Sequence, residues 1–257
     1  MLSHPLARVL LGLWFLWTAT ADAAWTRHES EIEPSVIPQM VHHHLVMAES
    51  ATGDQATLEL TTFAPKSCRL GLIDNPEGNR DLAAAMRSGN CFAGINGGYF
   101  DENFAPLGLR INGGKTTSNL AHGRLLTGVM MSSDSLVRIF RVSEFAKSTR
   151  TFTAVQSGPF LIDHGRIVPG LDSNRSARRT FVAITADGEI TLGLCSDVSL
   201  QPLSSILATP AADLKIQRAL NLDGGSSSAF WFKRKNGTIL SIAEQKNVRD
   251  FIGVEAK

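Results

Sequence analysis

A chain of 257 residues, 43% hydrophobic and 19% charged, holds enough apolar material for one globular domain or at most two small ones. Its formal net charge of +1, with no basic run, offers no electrostatic case for nucleic acid as a partner. Twenty-two glycines against a single tyrosine point to a turn-rich, sheet-containing protein rather than a helical bundle.

At the N-terminus, Arg8 precedes the apolar run Val9 to Trp17, and Ala21–Asp22–Ala23 is a small-x-small cleavage site. Residues 1–23 therefore read as a signal peptide, and the chain is expected to be exported, periplasmic or secreted. The apolar run is shorter than the roughly 20 residues that a membrane-spanning helix needs, so no stable span is expected after its removal. Residues 24–67 read as an N-terminal arm and hairpin: a polar lead-in with Pro34 and Pro38, then strands at Val41 to Met47 and Leu58 to Phe63 about a Gly53–Asp54 turn. Three histidines, His42 to His44, lie on the first of these strands. Alternation sends His42 and His44 to one face and His43 to the other, so they do not converge as a metal triad.

Cys68 to Asp74 reads as a further strand, and Asp81 to Arg87, stopped by Gly89, as a helix. The apolar strand Cys91 to Ile95 runs straight into Asn96–Gly97–Gly98, and Leu107 to Ile111 into Asn112–Gly113–Gly114. Thr127 to Ile139 supplies two strands around Ser132 to Asp134, and Ser143 to Lys147 suits one helical turn. Thr153 to Gln156 leads into Ser157–Gly158–Pro159, and Phe181 to Thr185 joins Ile190 to Cys195 through Asp187–Gly188. Ser199 to Ala208 and then Asp213 to Gln217 suit one or two helices, and strands follow at Arg218 to Leu222, Phe230 to Phe232, Thr238 to Leu240 and Phe251 to Val254. Many strands with few helices predict an α+β fold: a mixed, largely antiparallel sheet with a few flanking helices, in a single domain. In an oxidising compartment Cys68 and Cys91, separated by a short loop, are the candidate disulfide among the three cysteines, although spacing alone leaves the pairing open. Cys195 ends an apolar run and reads as a buried thiol.

Four strand ends carry chemistry: Asn96–Gly97–Gly98, Ser157–Gly158–Pro159, Arg179–Thr180 and Asn221–Leu222–Asp223–Gly224–Gly225–Ser226. An arginine fork with backbone N–H donors suits phosphate, because it meets two oxygens at once. A carboxylate beside them can serve as a general base or as a nucleophile at an anomeric carbon. Ser226 to Ser228 add hydroxyls, and their N–H groups are expected to open a helix that would welcome an anion.

Ala93 to Phe100, Gln156 to Ile162, Arg179 to Ile184 and Asn221 to Ser227 stand in the order found in phosphodiester glycosidases, and from Cys68 onward the chain resembles that family. The resemblance implies a glycosidase domain over residues 68–257 that hydrolyses a sugar-1-phosphodiester at the glycosidic bond, releasing the sugar and leaving a phosphomonoester. It implies Asp223, Arg179 and Asn96 as catalytic residues. It implies Gly97, Gly98, Ser157, Gly158, Asn221, Gly224, Gly225 and Ser226 as substrate-binding. No cofactor or metal is implied, and the partner is a phosphorylated glycan or sugar-phosphate diester. Ala183 departs from the glycine frequent in the family, and its bulk is expected to narrow the site. Arg249 matches the family's closing strand only loosely. The alternative is a non-catalytic envelope domain that binds phosphorylated glycan through Arg179; Asp223 speaks against it, since anion binding gains nothing from a nearby carboxylate. A metal-dependent phosphodiesterase would need a histidine and carboxylate cluster that these motifs do not assemble.

Overall fold

A computed structural model describes residues 24–134, 136–146 and 151–257; the signal-peptide expectation lies outside them. The chain opens with β1 (Trp25–Pro34), β2 (Val41–Glu49), β3 (Gln55–Phe63) and β4 (Cys68–Asp74), then helix α1 (Leu82–Ser88). Short strands follow: β5 (Ala93–Asn96), β6 (Arg110–Asn112), β7 (Lys115–Ser118), β8 (Gly128–Ser132), β9 (Val137–Arg141) and β10 (Thr153–Ser157). Next come β11 (Phe160–Asp163), β12 (Arg166–Ile167), the long pair β13 (Ala177–Thr185) and β14 (Ile190–Val198), and helix α2 (Leu200–Ala208). The order closes with β15 (Ile216–Asn221), β16 (Phe230–Lys233), β17 (Ile239–Ile242) and β18 (Asp250–Ala256).

Three sheets result, with strand orders β1-β2-β3-β14-β13-β15-β11-β12, β7-β6-β10-β8-β9 and β17-β16-β5-β18-β4. Every strand pairing among the described residues is antiparallel. The largely antiparallel pairing and the few flanking helices are as expected, whereas the mixed sheet of an α+β fold gives way to a sheet-dominated fold in which α1 and α2 are the α-helices among the described residues. Tight glycine and Asx turns return β3, β9, β14 and β17 beside their predecessors, while the long connections through α1 and α2 pass over one strand, so that β18 lies between β4 and β5 and β13 between β14 and β15.

The polar lead-in is also a strand. β1 pairs with β2 along its whole length, from Trp25 opposite Glu49 to Pro34 opposite Val41. Exposed on nearly all positions, it has no apolar alternation to betray it, and its charges suit a sheet edge. The helical turn expected at Ser143 shrinks to a 3-10 turn, Val142–Glu144, and Lys147 lies outside the described residues. The second helix expected at Asp213 to Gln217 does not form: a 3-10 turn, Pro210–Ala212, precedes it, and Ile216 and Gln217 already belong to β15.

The main core joins all three sheets, with Phe63, Leu70, Ile95, Met130, Phe160, Leu220, Phe230 and Ile252 among its members. On the other face of the large sheet, α2 buries Leu203, Ile206 and Leu207 against Phe181, Ala183 and Ala219. Each such side chain contributes about 1.5–3 kcal/mol. α1, capped by the Asp81 carboxylate accepting from the Ala84 N–H at 2.6 Å, closes the outer face of the β5-β18 sheet over Met86, Trp231 and Phe251.

The cysteines are free and buried. Cys68 packs in the main core and Cys91 under α1, on opposite faces of one sheet, so the expected disulfide does not form. The histidines alternate as expected. His42 is buried with Nε2 2.7 Å from Glu59 Oε2, His44 Nδ1 lies 2.9 Å from Glu59 Oε1, and His43 turns to Thr62.

Candidate active site

Strand ends from all three sheets meet at one rim. Asn96, last residue of β5 and fully buried, is its hub. Its Oδ1 accepts from the Thr180 hydroxyl of β13 at 2.8 Å and from the Ala229 N–H at 3.0 Å. Its Nδ2 donates to the Asp223 carbonyl at 2.7 Å. The Asp223 N–H in turn donates to the Gly97 carbonyl at 3.2 Å, so the Asp223 backbone is held from both sides. With donors and acceptor engaged inside the protein, Asn96 is a clamp between sheets.

Gly97 and Gly98 are required by close approach. A side chain on Gly97 would collide with the Asp250 carboxylate, and one on Gly98 with the Arg110 guanidinium. The Gly97 N–H donates to the Asp250 carbonyl at 2.9 Å and the Gly98 N–H to Asp250 Oδ1 at 3.1 Å, so these groups are not turned to an anion. Asp250 is in turn paired with Arg110, whose Nε lies 2.8 Å from Oδ2; both side chains are about 1% exposed. Arg110 also donates to the carbonyls of Leu109, Gln156 and Tyr99. A fully bonded internal ion pair thus shapes the loop that leads from Gly98 into Tyr99.

Tyr99 donates its hydroxyl proton to the Gly158 carbonyl at 2.7 Å and accepts from Asn221 Nδ2 at 3.0 Å. Gly158 sits at φ 150°, where a side chain would press on the Leu125 carbonyl. Its peptide bond to Pro159 is cis. Asn221 Nδ2 also reaches the Gly158 carbonyl at 3.1 Å, while Asn221 Oδ1 and the Ser157 hydroxyl are buried with no partner among the described residues. Burial, and then the charge of Asp223, push the Tyr99 phenol up to about 12.

Asp223 begins the serine turn, half-buried, with Oδ1 accepting from the Gly224 N–H at 3.0 Å. Burial raises its carboxyl above the ordinary range, against the lowering influence of Lys246 and the Gly224 N–H. Across Gly224 lies Arg179: a Cβ on Gly224 would stand 3.8 Å from its Nη1. Arg179 Nε donates to the Val198 carbonyl at 2.9 Å and Nη2 to the Arg175 carbonyl, which holds the guanidinium in place. Two further cations act on this group: Arg175 on Tyr99 and Arg179, and Lys246 on Asp223.

Three expectations change. The serine turn is the three-residue 3-10 turn Gly225–Ser227, too short for a helix-start anion site, and Ser227 and Ser228 are buried. Ala183 packs under α2, on the face of β13 opposite Thr180, so it does not narrow the site. Arg249 pairs with Asp74, and its neighbour Asp250 faces the site instead. Sequence reasoning also passed over Tyr99, Thr180, Arg110 and Arg175. Tyr99, the single tyrosine directly behind Gly97–Gly98, and Thr180, directly behind Arg179, stood within quoted motifs; Arg110 and Asp250 sit 140 residues apart and leave no local signal.

The phosphodiester glycosidase family model matches residues 89–255, which takes in every strand end of this rim. The chain belongs to the phosphodiester glycosidase family. The chain is 32% identical over 158 residues to the uncharacterized protein YigE of Escherichia coli K12, a match that covers 58% of this chain and 61% of that relative's length. Its fold resembles that of a hypothetical protein from Synechocystis, with a TM-score of 0.67 at 17% identity over 92% of this chain and 65% of the other. It equally resembles the catalytic domain of zebrafish N-acetylglucosamine-1-phosphodiester alpha-N-acetylglucosaminidase, with a TM-score of 0.67 at 17% identity over 90% of this chain and 89% of that one. Among the described residues no helix is long and apolar enough to cross a membrane, and no group of three or more histidine, cysteine or acidic side chains is arranged to hold a metal.

Proposed function

We propose that this member of the phosphodiester glycosidase family is an exported hydrolase that cleaves a sugar-1-phosphodiester at the glycosidic bond. Its substrate would be a phosphorylated glycan of the cell envelope or a smaller sugar-phosphate diester. The observation that carries the reading is the placement of Asp223 and Arg179 on either side of Gly224 at a rim shaped by buried polar side chains. Arg179 holds a phosphate oxygen through Nη1, and the carbonyl bonds at Nε and Nη2 fix its direction. Gly224, Gly225 and Ser226 keep the approach open, and Asn221, Ser157 and Gly158 line it behind Tyr99.

A carboxylate whose pKa is raised by burial suits a base. Asp223 takes the proton of a water whose oxygen bonds to the anomeric carbon. The bond from that carbon to the phosphate oxygen breaks, and its electron pair leaves on a phosphomonoester. A phosphate leaving group needs little protonation, so one carboxylate does the work that other glycosidases divide between two. Asn96 acts through the backbone of Asp223, as a positioning residue.

The test is a panel of sugar-1-phosphate diesters, with free sugar measured against sugar phosphate as product. Free sugar together with a phosphomonoester supports the reading. Sugar phosphate as the product, or binding without turnover across the panel, sinks it, and the second result favours a glycan-binding domain. Asp223→Asn is expected to lower kcat roughly a hundred- to ten-thousand-fold, the range of a lost general base.

A further inference from the structure

Gln156, fully buried on the strand that leads into Gly158, engages its whole side-chain amide with two loops. Its Oε1 accepts from the Leu109 and Ala121 N–H groups at 2.9 and 3.0 Å, and its Nε2 donates to the Ala121 and Leu126 carbonyls at 2.6 and 3.2 Å. Both donors and both acceptor positions are then taken. The Leu126 N–H closes a tight turn on the Gly123 carbonyl at 3.0 Å, and the Leu107 N–H donates to the Tyr99 carbonyl at 2.8 Å. The loops are thereby fixed beside Tyr99 and Gly158, at the edge of the rim.

This frame presents apolar side chains outward. Leu107, Leu120 and Leu125 are 44%, 38% and 56% exposed, each within two residues of a backbone group that Gln156 holds. A single exposed leucine is ordinary, whereas several brought together on a rigid frame mark a contact surface. The charges among them are of one sign. From Asn103 to Ser133 the chain has no acidic residue, while Lys115, His122 and Arg124 are exposed. Lys115 and Arg124 make no ion pair among the described residues. Asp101 and Glu102 stand on the preceding loop, and there the Asp101 carboxylate accepts from the N–H groups of Asn103 and Ala105. Leucines interleaved with cations suit the boundary layer of an anionic membrane: the apolar tips enter among the acyl chains and the cations meet headgroup phosphates. Leucines on separate loop tips also fit a fluid apolar layer, which needs no matching shape, better than the fixed surface of a protein.

We propose that Leu107, Leu120 and Leu125, with Arg124 among them and Lys115 on the adjoining strand β7, dock this protein on an anionic lipid bilayer with its rim toward the surface. The docking is peripheral and involves none of Asn96, Arg179 or Asp223, so it stands or falls independently of the glycosidase reading.

Because the native thiols are buried, one engineered cysteine can carry a polarity-sensitive dye. The full chain with Leu120→Cys, labelled in this way, is titrated with vesicles of phosphatidylcholine alone and of phosphatidylcholine and phosphatidylglycerol in equal parts. The dye is expected to brighten and shift to the blue on the anionic vesicles only. The same dye on Lys235→Cys, in the turn beyond the far end of β16, is expected to keep its aqueous spectrum. Arg124→Gln in the labelled protein is expected to raise the lipid concentration at half-shift about fivefold, the worth of one basic residue near an anionic surface, and added salt to act in the same direction. Thermal unfolding of the labelled protein shows whether it folds; should Leu120→Cys not, Leu125→Cys gives the same comparison. No difference between the two vesicles, an equal shift from Leu120→Cys and Lys235→Cys, or an unchanged midpoint in Arg124→Gln overturns the proposal. So does a shift that grows with protein concentration in the absence of lipid, because a second copy of the chain then covers the leucines.

Discussion

The Asn96 amide and the Asp223 carbonyl are joined at 2.7 Å across 127 positions of sequence, linking the last residue of β5 to the turn that carries the proposed base. Through Thr180 Oγ1 and the Ala229 N–H the same side chain ties β13 and the strand after the turn into one rim. The two residues therefore have separable duties. Asn96→Ala leaves the Thr180 hydroxyl and the Ala229 N–H unpaired in a fully buried place, and is expected to cost roughly 2–5 kcal/mol of stability. Asp223→Asn is expected to lower kcat by roughly the hundred- to ten-thousand-fold of a lost general base without lowering the unfolding temperature. Denaturant titration of both variants beside the diester assay checks this; equal destabilisation by the two would remove the distinction.

Burial raises the Asp223 carboxyl, which has two consequences of opposite sign. As a base it must be ionised, so kcat falls as pH drops through a pKa above the usual carboxylate range. For folding, a carboxyl raised in the folded state contributes most below its unfolded pKa, and that contribution is lost as pH rises through the folded value. Ionised Asp223 therefore costs stability at neutral pH, and Asp223→Asn is expected to unfold at a higher temperature than wild type there but not at pH 4. A pH series of melting curves for the two proteins reads this directly.

Arg110 and Asp250 are about 1% exposed and satisfy each other together with the Gly97–Gly98 backbone and three carbonyls. Removal of one partner leaves a buried charge alone, so Arg110→Met is expected to lose about 3–5 kcal/mol. Arg110→Met combined with Asp250→Leu is expected to recover part of that loss but not activity, because the Gly98 N–H loses its acceptor. A double-mutant cycle in urea with the diester assay alongside measures both.

The three thiols lie in three separate apolar clusters, and burial pushes Cys68 up to about 11 and Cys91 and Cys195 up to about 12. In the native protein none is expected to react with a thiol reagent at neutral pH, whereas three are expected to react after denaturation without reductant. Two missing thiols in the unfolded sample would mean that a disulfide forms after all.

Most strands could be read from the chain because apolar runs alternate with glycine and Asx turns. β8 with β9, β13 with β14 and β16 with β17 follow those signals closely. β1 could not, because an edge strand exposed on almost every residue has no periodicity to show. The parallel component expected of the sheet is missing because the crossovers through α1 and α2 each pass over one strand: β18 fills the place between β4 and β5, and β13 the place between β14 and β15, so every neighbouring pair is antiparallel.

The site divides along the same line. Asn96, Arg179, Asn221 and Asp223 announce themselves, each a polar residue set abruptly at the end of an apolar strand, and the four motif segments mark one family in their order alone. Local chemistry of this kind is written in neighbouring residues. What each side chain does at the rim depends on partners far away in sequence. Only the packing of three sheets turned Asn96 inward as a clamp, engaged the Gly97 and Gly98 N–H groups with Asp250, set Tyr99 against Asn221, and brought the charge of Lys246 to bear on Asp223. Hydrogen bonding and burial act over a few ångströms of space, and the chain crosses those distances by routes that no local pattern encodes.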